Sequence, residues 1–428
     1  IDDDTDLKGS VIHGIPILGG VLNIPHLVKE FDIQLIIIAI PTASASQMRV
    51  IIEQCSLTTV RFLTLPKLND IVEGSVDLGL MREVSIDDLL GREQIGLDWR
   101  KMDAFLSKKK ILVTGGGGSI GKELCHQLLK INLSSLTIID QSELGLHELK
   151  HDLSSNSDAE VHFVLGDVCD EILLQNLFKN HHFDVVFHAA AYKHVPMLQN
   201  QARVAVSNNV LGTESIARIS SENGVGNFVL ISTDKAVKPS NIMGASKRFA
   251  ELIVQSLNAK SKTRFMVVRF GNVLNSTGSV VPLFEKQIAK GGPVTVTHPE
   301  ATRYFMSIPE ACQLIMEASS VGVGGEIFVL DMGEPVRITF LAEQMISLSG
   351  RPVDMTFIGL REGEKLEEEL FFDFEQLQET KNKKLFLANV ESLSWDVVSD
   401  KLIEVRSAVN DYDEEKIAGI LKQIAELD

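Results

Sequence analysis

Residues 111–121 read Ile-Leu-Val-Thr-Gly-Gly-Gly-Gly-Ser-Ile-Gly, and nothing else in the 428-residue chain limits its fold so tightly. An apolar run meets a glycine turn that opens a helical pattern, which makes a strand–turn–helix unit. Gly115 and Gly118 allow the tight turn and a close backbone approach, and Gly121 allows the helix to pack against the strand. Free N–H groups and the positive dipole end at such a helix start suit a pyrophosphate. Thr114, Ser119 and Ile120 are interleaved with these glycines and are expected to line the same cradle. Asp140 ends the next strand, nineteen residues after Gly121. A carboxylate there accepts from both ribose hydroxyls and repels a 2′-phosphate, which favours NAD over NADP. Asp167 ends the third strand, where adenine is expected, and Val168 next to it is expected on the cofactor too. The plain alternative is a packing turn that holds no ligand.

The rest of the chain fits an α/β protein with a doubly wound, mainly parallel sheet. Strands are expected at Ile111–Thr114, Leu136–Asp140, Val161–Asp167, Asp184–Ala189, Asn227–Thr233, Phe265–Phe270 and Ile327–Leu330. Helical patterns between them include Lys122–Lys130, Asn241–Leu257 and Pro309–Ser319. Residues 1–74 offer two more strands, Gln34–Ile40 and Val60–Leu65, closed by Pro41 and Pro66. They read as a truncated Rossmann-like domain, 75–108 as a linker, and 109–428 as the dinucleotide-binding domain. Its tail beyond about residue 335 is expected to form a smaller substrate lobe, ending in an acidic helix near 414–427. With 41 Lys and Arg against 58 Asp and Glu, the chain carries −17 and does not suit a nucleic-acid backbone. Its four scattered cysteines offer neither a disulfide framework nor a zinc site, so no metal is expected. No apolar run reaches the roughly 20 residues that span a bilayer. Because the chain opens at Ile1 without an initiator Met, a longer parent protein is expected.

The glycine spacing T-G-x-x-G-x-x-G resembles the extended short-chain dehydrogenase/reductase family. His188-Ala189-Ala190-Ala191 matches that family's strand-end alanine run, which puts Ala189 and Ala190 against the cofactor, and Asn209–Thr213 resembles its central-helix motif. Its catalytic Y-x-x-x-K is broken here. Lys247 is present, but Met243 stands where the tyrosine belongs, and the chain's three tyrosines (Tyr192, Tyr304, Tyr412) all lie elsewhere. A thioether has no proton to exchange, so Met243 can be neither acid nor base and reads locally as core packing. Just upstream, Ser232-Thr233-Asp234-Lys235 follows the fifth strand at the carboxyl edge, where open α/β sheets bind ligands.

Ser232–Pro239 and Met243–Lys247 together resemble the nucleotide-sugar 4,6-dehydratases, more specifically their large membrane-associated branch, which has methionine at the tyrosine position. The stretches Ala191–Pro196, Arg269–Leu274, Gly278–Phe284, Thr302–Met306 and Asp88–Arg92 resemble the same branch. The resemblance implies NAD-dependent dehydration of UDP-N-acetylglucosamine to a 4-keto-6-deoxy sugar for a surface polysaccharide or glycan. It implies Lys235 as the C5 base, Asp234 as the acid for the C6 oxygen, Thr233 on the C4 oxygen and Lys247 on the nicotinamide ribose. A base must be neutral, so the pKa of Lys235 is expected to fall through burial or a neighbour such as Lys247. Lys193, His194, Asn272, Arg303, Arg361 and Glu364 are expected on the substrate, the two arginines on the diphosphate. Glu362 replaces a usual proline in that last loop, which removes a fixed φ. A homo-oligomer at the cytoplasmic face of the bacterial inner membrane, anchored by helices outside this chain, follows from the resemblance. Two readings compete: a 4-epimerase or reductase, and a non-catalytic NAD-binding regulator. The former normally needs the missing tyrosine. The latter gives no reason to keep Asp234, Lys235 and Lys247 together.

Overall fold

The computed structural model describes residues 1–40, 43, 45–58, 60–65, 82–84, 99–153, 159–372, 375–389 and 392–427. The closing prolines Pro41 and Pro66 and the 88–92 motif lie outside them. Two compact units emerge: residues 1–94 with 284–296 and 338–356, and residues 95–283 with 297–337 and 357–428.

In the smaller unit, Leu35–Ile38 pairs parallel to Arg61–Thr64, which pairs antiparallel to Arg82–Glu83. Its core gathers Val21, Ile24, Ile38, Met48, Ile51, Ile52 and Cys55.

The larger unit is built on a nine-stranded sheet. Its strands are β1 (Lys110–Thr114), β2 (Ser135–Asp140), β3 (Glu160–Leu165), β4 (Val185–His188), β5 (Asn227–Ile231), β6 (Arg264–Arg269), β7 (Ile327–Leu330), β8 (Gln376–Glu379) and β9 (Leu385–Asn389), in the order β8-β9-β7-β6-β5-β4-β1-β2-β3. The seven expected strands are parallel. The sequence reading missed β8 and β9, a hairpin that adds antiparallel to β7. Strand order reverses between β1 and β4, so a crevice opens at the carboxyl ends of those two strands.

Burial explains why these strands read as continuous apolar runs. Phe228 and Leu230 of β5 face one core and Val229 faces the other, so both faces are covered. Helices α1 (Ser119–Leu128), α2 (Gly212–Glu222), α3 (Ile242–Asn258), α4 (Ile308–Val321), α5 (Trp395–Asn410) and α6 (Glu414–Ala425) supply that cover. In α3 every residue from Met243 to Leu257 is buried. Part of the expected lobe is therefore core: Val398, Leu402, Ile417 and Leu421 pack with Phe249 and Ile253 of α3. Among the described residues, no helix is long and apolar enough to cross a membrane.

Candidate active site

The glycine turn lies at the strand-order reversal. Gly115 has φ +72°, and a Cβ there would stand 2.5 Å from Ala190 N and 2.7 Å from the Ala189 carbonyl carbon. A Cβ on Gly121 would collide with the Gly115 carbonyl oxygen. Gly118 caps α1, whose free N–H groups begin there. Asp140 Oδ2 accepts from Gly117 N at 2.8 Å and its Oδ1 from Ser142 N at 2.8 Å, which fixes the carboxylate. Gly115, Gly118, Asp140, Asp167, Val168, Ala189 and Ala190 all line one cavity. Ile120 instead packs toward the core, and Ser119 Oγ accepts from Thr277 N at 3.1 Å. A bare-backbone turn, a helix start and a held carboxylate around one cavity fit a dinucleotide. Gly115→Ala should weaken NAD binding about tenfold or more by titration calorimetry, a loss of roughly 1.4 kcal/mol, since its Cβ would push apart the turn and the Ala189–Ala190 strand end that line the cavity.

Thr114 has a different task from lining the cavity. Ala190 N donates to its Oγ1 at 3.3 Å, and Oγ1 lies 2.7 Å from His188 Nδ1. His188 Nε2 lies 2.9 Å from Thr213 Oγ1, which donates to Asn209 O at 2.7 Å. Since Thr213 has spent its proton, His188 must carry its own on Nε2 and accept on Nδ1. Burial, reinforced by Lys247, pushes the imidazole down to about 3, so it is neutral. The chain ends in a π-helical turn, Ser207–Leu211, just before α2. There Asn209 Oδ1 accepts from Tyr192 N at 2.8 Å, and its Nδ2 donates to Tyr192 O at 3.0 Å and Ser246 Oγ at 3.0 Å.

Beyond β5, Thr233 caps a short turn, Asp234–Ala236. Its Oγ1 donates to Asp234 Oδ1 at 2.8 Å, and Lys235 Nζ donates to the same oxygen at 3.0 Å. Lys235 Nζ also donates to Asn272 Oδ1 at 3.2 Å and lies 3.5 Å from Glu368 Oε1. The sequence reading missed Glu368, which hides in the run Glu367-Glu368-Glu369. Burial alone would lower the pKa of Lys235, but Asp234 and Glu368 outweigh it and hold the ammonium above its ordinary value. This reverses the expected fall, and Lys247 is not among the leading influences on it. Burial pushes Glu368 up, although Lys235 and Arg303 oppose it.

Lys247 donates from Nζ to Ile231 O at 2.7 Å, and burial brings it down to about 8 against the pull of Glu251. Met243 packs with Leu198 and Ala205 in a small apolar cluster, as core packing predicts. Arg303 corrects an expectation: its guanidinium donates to Thr302 O at 2.6 Å, Leu366 O at 3.0 Å, Lys365 O at 2.8 Å and Glu364 Oε1 at 3.1 Å. Those donors are occupied in holding the 364–368 segment, leaving no fork for a diphosphate. Arg361 is exposed, and its backbone N–H donates to Glu364 Oε2 at 3.2 Å. Lys193 and His194 are exposed on the stretch after β4, with the His194 ring against Gly278.

Beneath the cluster lies a charged network that the sequence did not reveal. Arg269 donates to both oxygens of Glu251, at 2.8 and 2.7 Å, and to both of Glu375, at 2.8 Å each. Ser232 Oγ donates to Glu251 at 2.6 Å, and Arg248 Nη1 does so at 3.4 Å. The two guanidinium carbons sit 4.9 Å (Arg248) and 5.6 Å (Arg269) from the Phe372 ring.

A family profile described as "Polysaccharide biosynthesis protein" matches residues 111–390, the span that carries the whole site. The chain belongs to this family. Among its curated relatives is the "Capsular polysaccharide biosynthesis protein CapD" of Staphylococcus aureus. The two are 41% identical over 425 residues, covering 98% of this chain and 70% of that protein. A "UDP-glucose 4-epimerase" of Rickettsia bellii is 35% identical over 269 residues, covering 61% of this chain and 77% of the epimerase. Among solved structures, DesIV (dTDP-glucose 4,6-dehydratase) of Streptomyces venezuelae, with NAD and TYD bound, superposes with a TM-score of 0.55. It is 23% identical and covers 61% of this chain and 88% of that one, a likeness of fold. This family member thus has the extended short-chain dehydrogenase/reductase fold, shares that fold with a nucleotide-sugar dehydratase, and is related in sequence to UDP-glucose 4-epimerases.

Proposed function

We propose that this chain binds NAD and removes water from UDP-N-acetylglucosamine, giving a UDP-4-keto-6-deoxy-N-acetylhexosamine. The observation that carries the reading is the Thr233–Asp234–Lys235 cluster beyond β5, with Met243 where a tyrosine would serve an epimerase. Bound nicotinamide supplies reversible hydride removal at C4 and return at C6. The chain's own groups supply the proton transfers. A C4 hydroxyl resting on Thr233 has Asp234 Oδ1 one hydrogen bond behind it, 2.8 Å from Oγ1, to receive its proton. Asp234 then returns that proton to the C6 oxygen as it leaves, and the proton lost at C4 departs in the water. Lys235 removes the C5 proton, which the C4 ketone has acidified, and its ammonium, carrying hydrogens exchanged from solvent, later protonates C5. Lys247 holds the nicotinamide ribose, Asn272 orients Lys235, and Arg361 is the cation for the diphosphate. A homo-oligomer at the cytoplasmic face of the inner membrane, anchored by segments outside this chain, belongs to the same proposal.

Likeness to a UDP-glucose 4-epimerase keeps a second reading open. Epimerisation needs proton exchange at C4 alone and leaves Lys235 without a task. Incubating the protein with NAD and UDP-N-acetylglucosamine in deuterated water separates the readings by mass spectrometry and NMR. A product lighter by one water, with deuterium at C5, is expected. An isobaric C4 epimer without C5 deuterium would establish the epimerase instead. Bound NAD with no turnover across a panel of nucleotide sugars would leave a cofactor-binding module.

A further inference from the structure

A lysine acting as the C5 base must be neutral, yet Asp234 and Glu368 hold Lys235 as an ammonium. The arrangement of the two carboxyls shows where its proton can go. Asp234 Oδ1 already accepts from Thr233 Oγ1 and from Lys235, at 2.8 and 3.0 Å. A proton placed there would displace one of these donors. Asp234 Oδ2 is buried without a hydrogen-bond partner among the described residues, but it belongs to a carboxylate whose charge both donors on Oδ1 already stabilise. Glu368 is less well satisfied. Among the described residues its Oε1 has only longer ionic neighbours, Lys235 Nζ at 3.5 Å and Arg303 Nε at 3.8 Å. Its Oε2 is buried and has no hydrogen-bond partner among the described residues. A buried carboxylate oxygen left bare is costly as an ion and far less so once the group is protonated.

We propose that Glu368 is the proton acceptor for Lys235. As substrate displaces water from the cluster, one proton passes from the Lys235 ammonium to the Glu368 carboxylate, leaving a neutral amine facing C5 and a carboxylic acid behind it.

The step balances without a co-reactant: one N–H bond breaks, one O–H bond forms, and the pair's total charge stays at zero. Its driving force is desolvation. Burial is the largest influence on each partner, and it acts downward on Lys235 and upward on Glu368. The Lys235 side chain retains 17% exposure, which a bound sugar would remove. Excluding that last water favours the neutral pair over the ion pair. The other charges facing the pair are Asp234, Arg303 and Lys365. Arg303 and Lys365 favour ionised Glu368, and Arg303 also favours neutral Lys235. Arg303 further holds the 364–368 segment by its carbonyls, which makes it a positioning residue for Glu368.

This inference rests on the dehydratase reading, with Lys235 as its base. The test is the pH dependence of kcat/KM and of C5 deuterium exchange with UDP-N-acetylglucosamine for Glu368→Gln. An internal transfer needs no exchange with solvent, so the wild-type protein should be nearly flat across neutral pH. In Glu368→Gln, Lys235 must lose its proton to solvent, and the rate should climb about tenfold per pH unit. Glu368→Asp keeps a carboxyl, so it should restore the flat profile even at a lower rate. A Glu368→Gln profile with the wild-type shape, merely scaled, would overturn the inference. So would a climbing profile in Glu368→Asp, because loss of shape rather than of the acceptor would then explain both variants. Failure of the base assignment shows separately, as C5 exchange surviving in Lys235→Ala.

Discussion

Lys235→Ala should abolish solvent deuterium uptake at C5 and lower turnover on UDP-N-acetylglucosamine by about 10²–10⁴-fold, the usual share of a general base. The expectation follows from the position of the ammonium, whose Nζ lies within 3.5 Å of Asp234, Asn272 and Glu368. NAD affinity should hold, because the glycine turn between β1 and α1 and the Asp140 carboxylate are built without Lys235. That split distinguishes a lost base from a damaged fold, and calorimetry beside the exchange measurement reads both. Should exchange persist at the wild-type rate, Lys235 is not the base and the proposed proton route is wrong. A general loss of NAD affinity together with a fallen melting temperature would point instead to Asp234 and Glu368 left buried without their shared cation.

The cradle was legible in the sequence because its geometry dictates residue type. Only glycine tolerates φ +72° at position 115 with Ala190 N so near, and only glycine lets α1 approach the turn at position 121. The parallel strands were legible because burial on both faces leaves uninterrupted apolar runs. Strand β8, Gln-Leu-Gln-Glu, has mostly polar or exposed positions and gives no such signal. Glu368 was hidden for a related reason, since three successive glutamates look like a solvated face and only tertiary placement buries the middle one. For Lys235 the sequence supplied the residue but the wrong direction of shift, because the second carboxylate acting on it lies 133 positions away. Arg303 shows the limit of reading chemistry from residue type. A guanidinium suits carbonyls and carboxylates as well as phosphate, and here nearby carbonyls and Glu364 take its donors.

Arg269→Ala should destabilise the protein by about 3–5 kcal/mol, the usual cost of removing one partner from a buried ion cluster. Arg269, Glu251 and Glu375 have no solvent exposure in their side chains, so water cannot replace the lost donors. Burial alone would raise the pKa of Glu251, but the Arg269 charge and hydrogen bonds overcome it and hold the carboxyl below its ordinary value. In the wild-type protein that stabilisation is complete above the ordinary carboxylate pKa of about 4.3 and is lost as pH falls through the lowered folded value. The variant inverts the sign. With Arg269 gone, burial dominates and the folded-state pKa of Glu251 rises above the unfolded one, so the folded protein binds the extra proton. Urea denaturation should therefore find Arg269→Ala gaining stability as pH drops from 7.5 toward about 5, where the wild-type protein gains nothing from this group. Equal slopes in the two proteins would show that Arg248 alone keeps Glu251 ionised. The same network joins Ser232, next to the Thr233–Lys235 turn, to α3, which carries Lys247, and through Glu375 to the segment after Glu368. Loosening it should therefore lower kcat as well as stability. A kcat loss recovered at the lower pH, together with stability, would tie the geometry of the proton-transfer cluster to this buried charge.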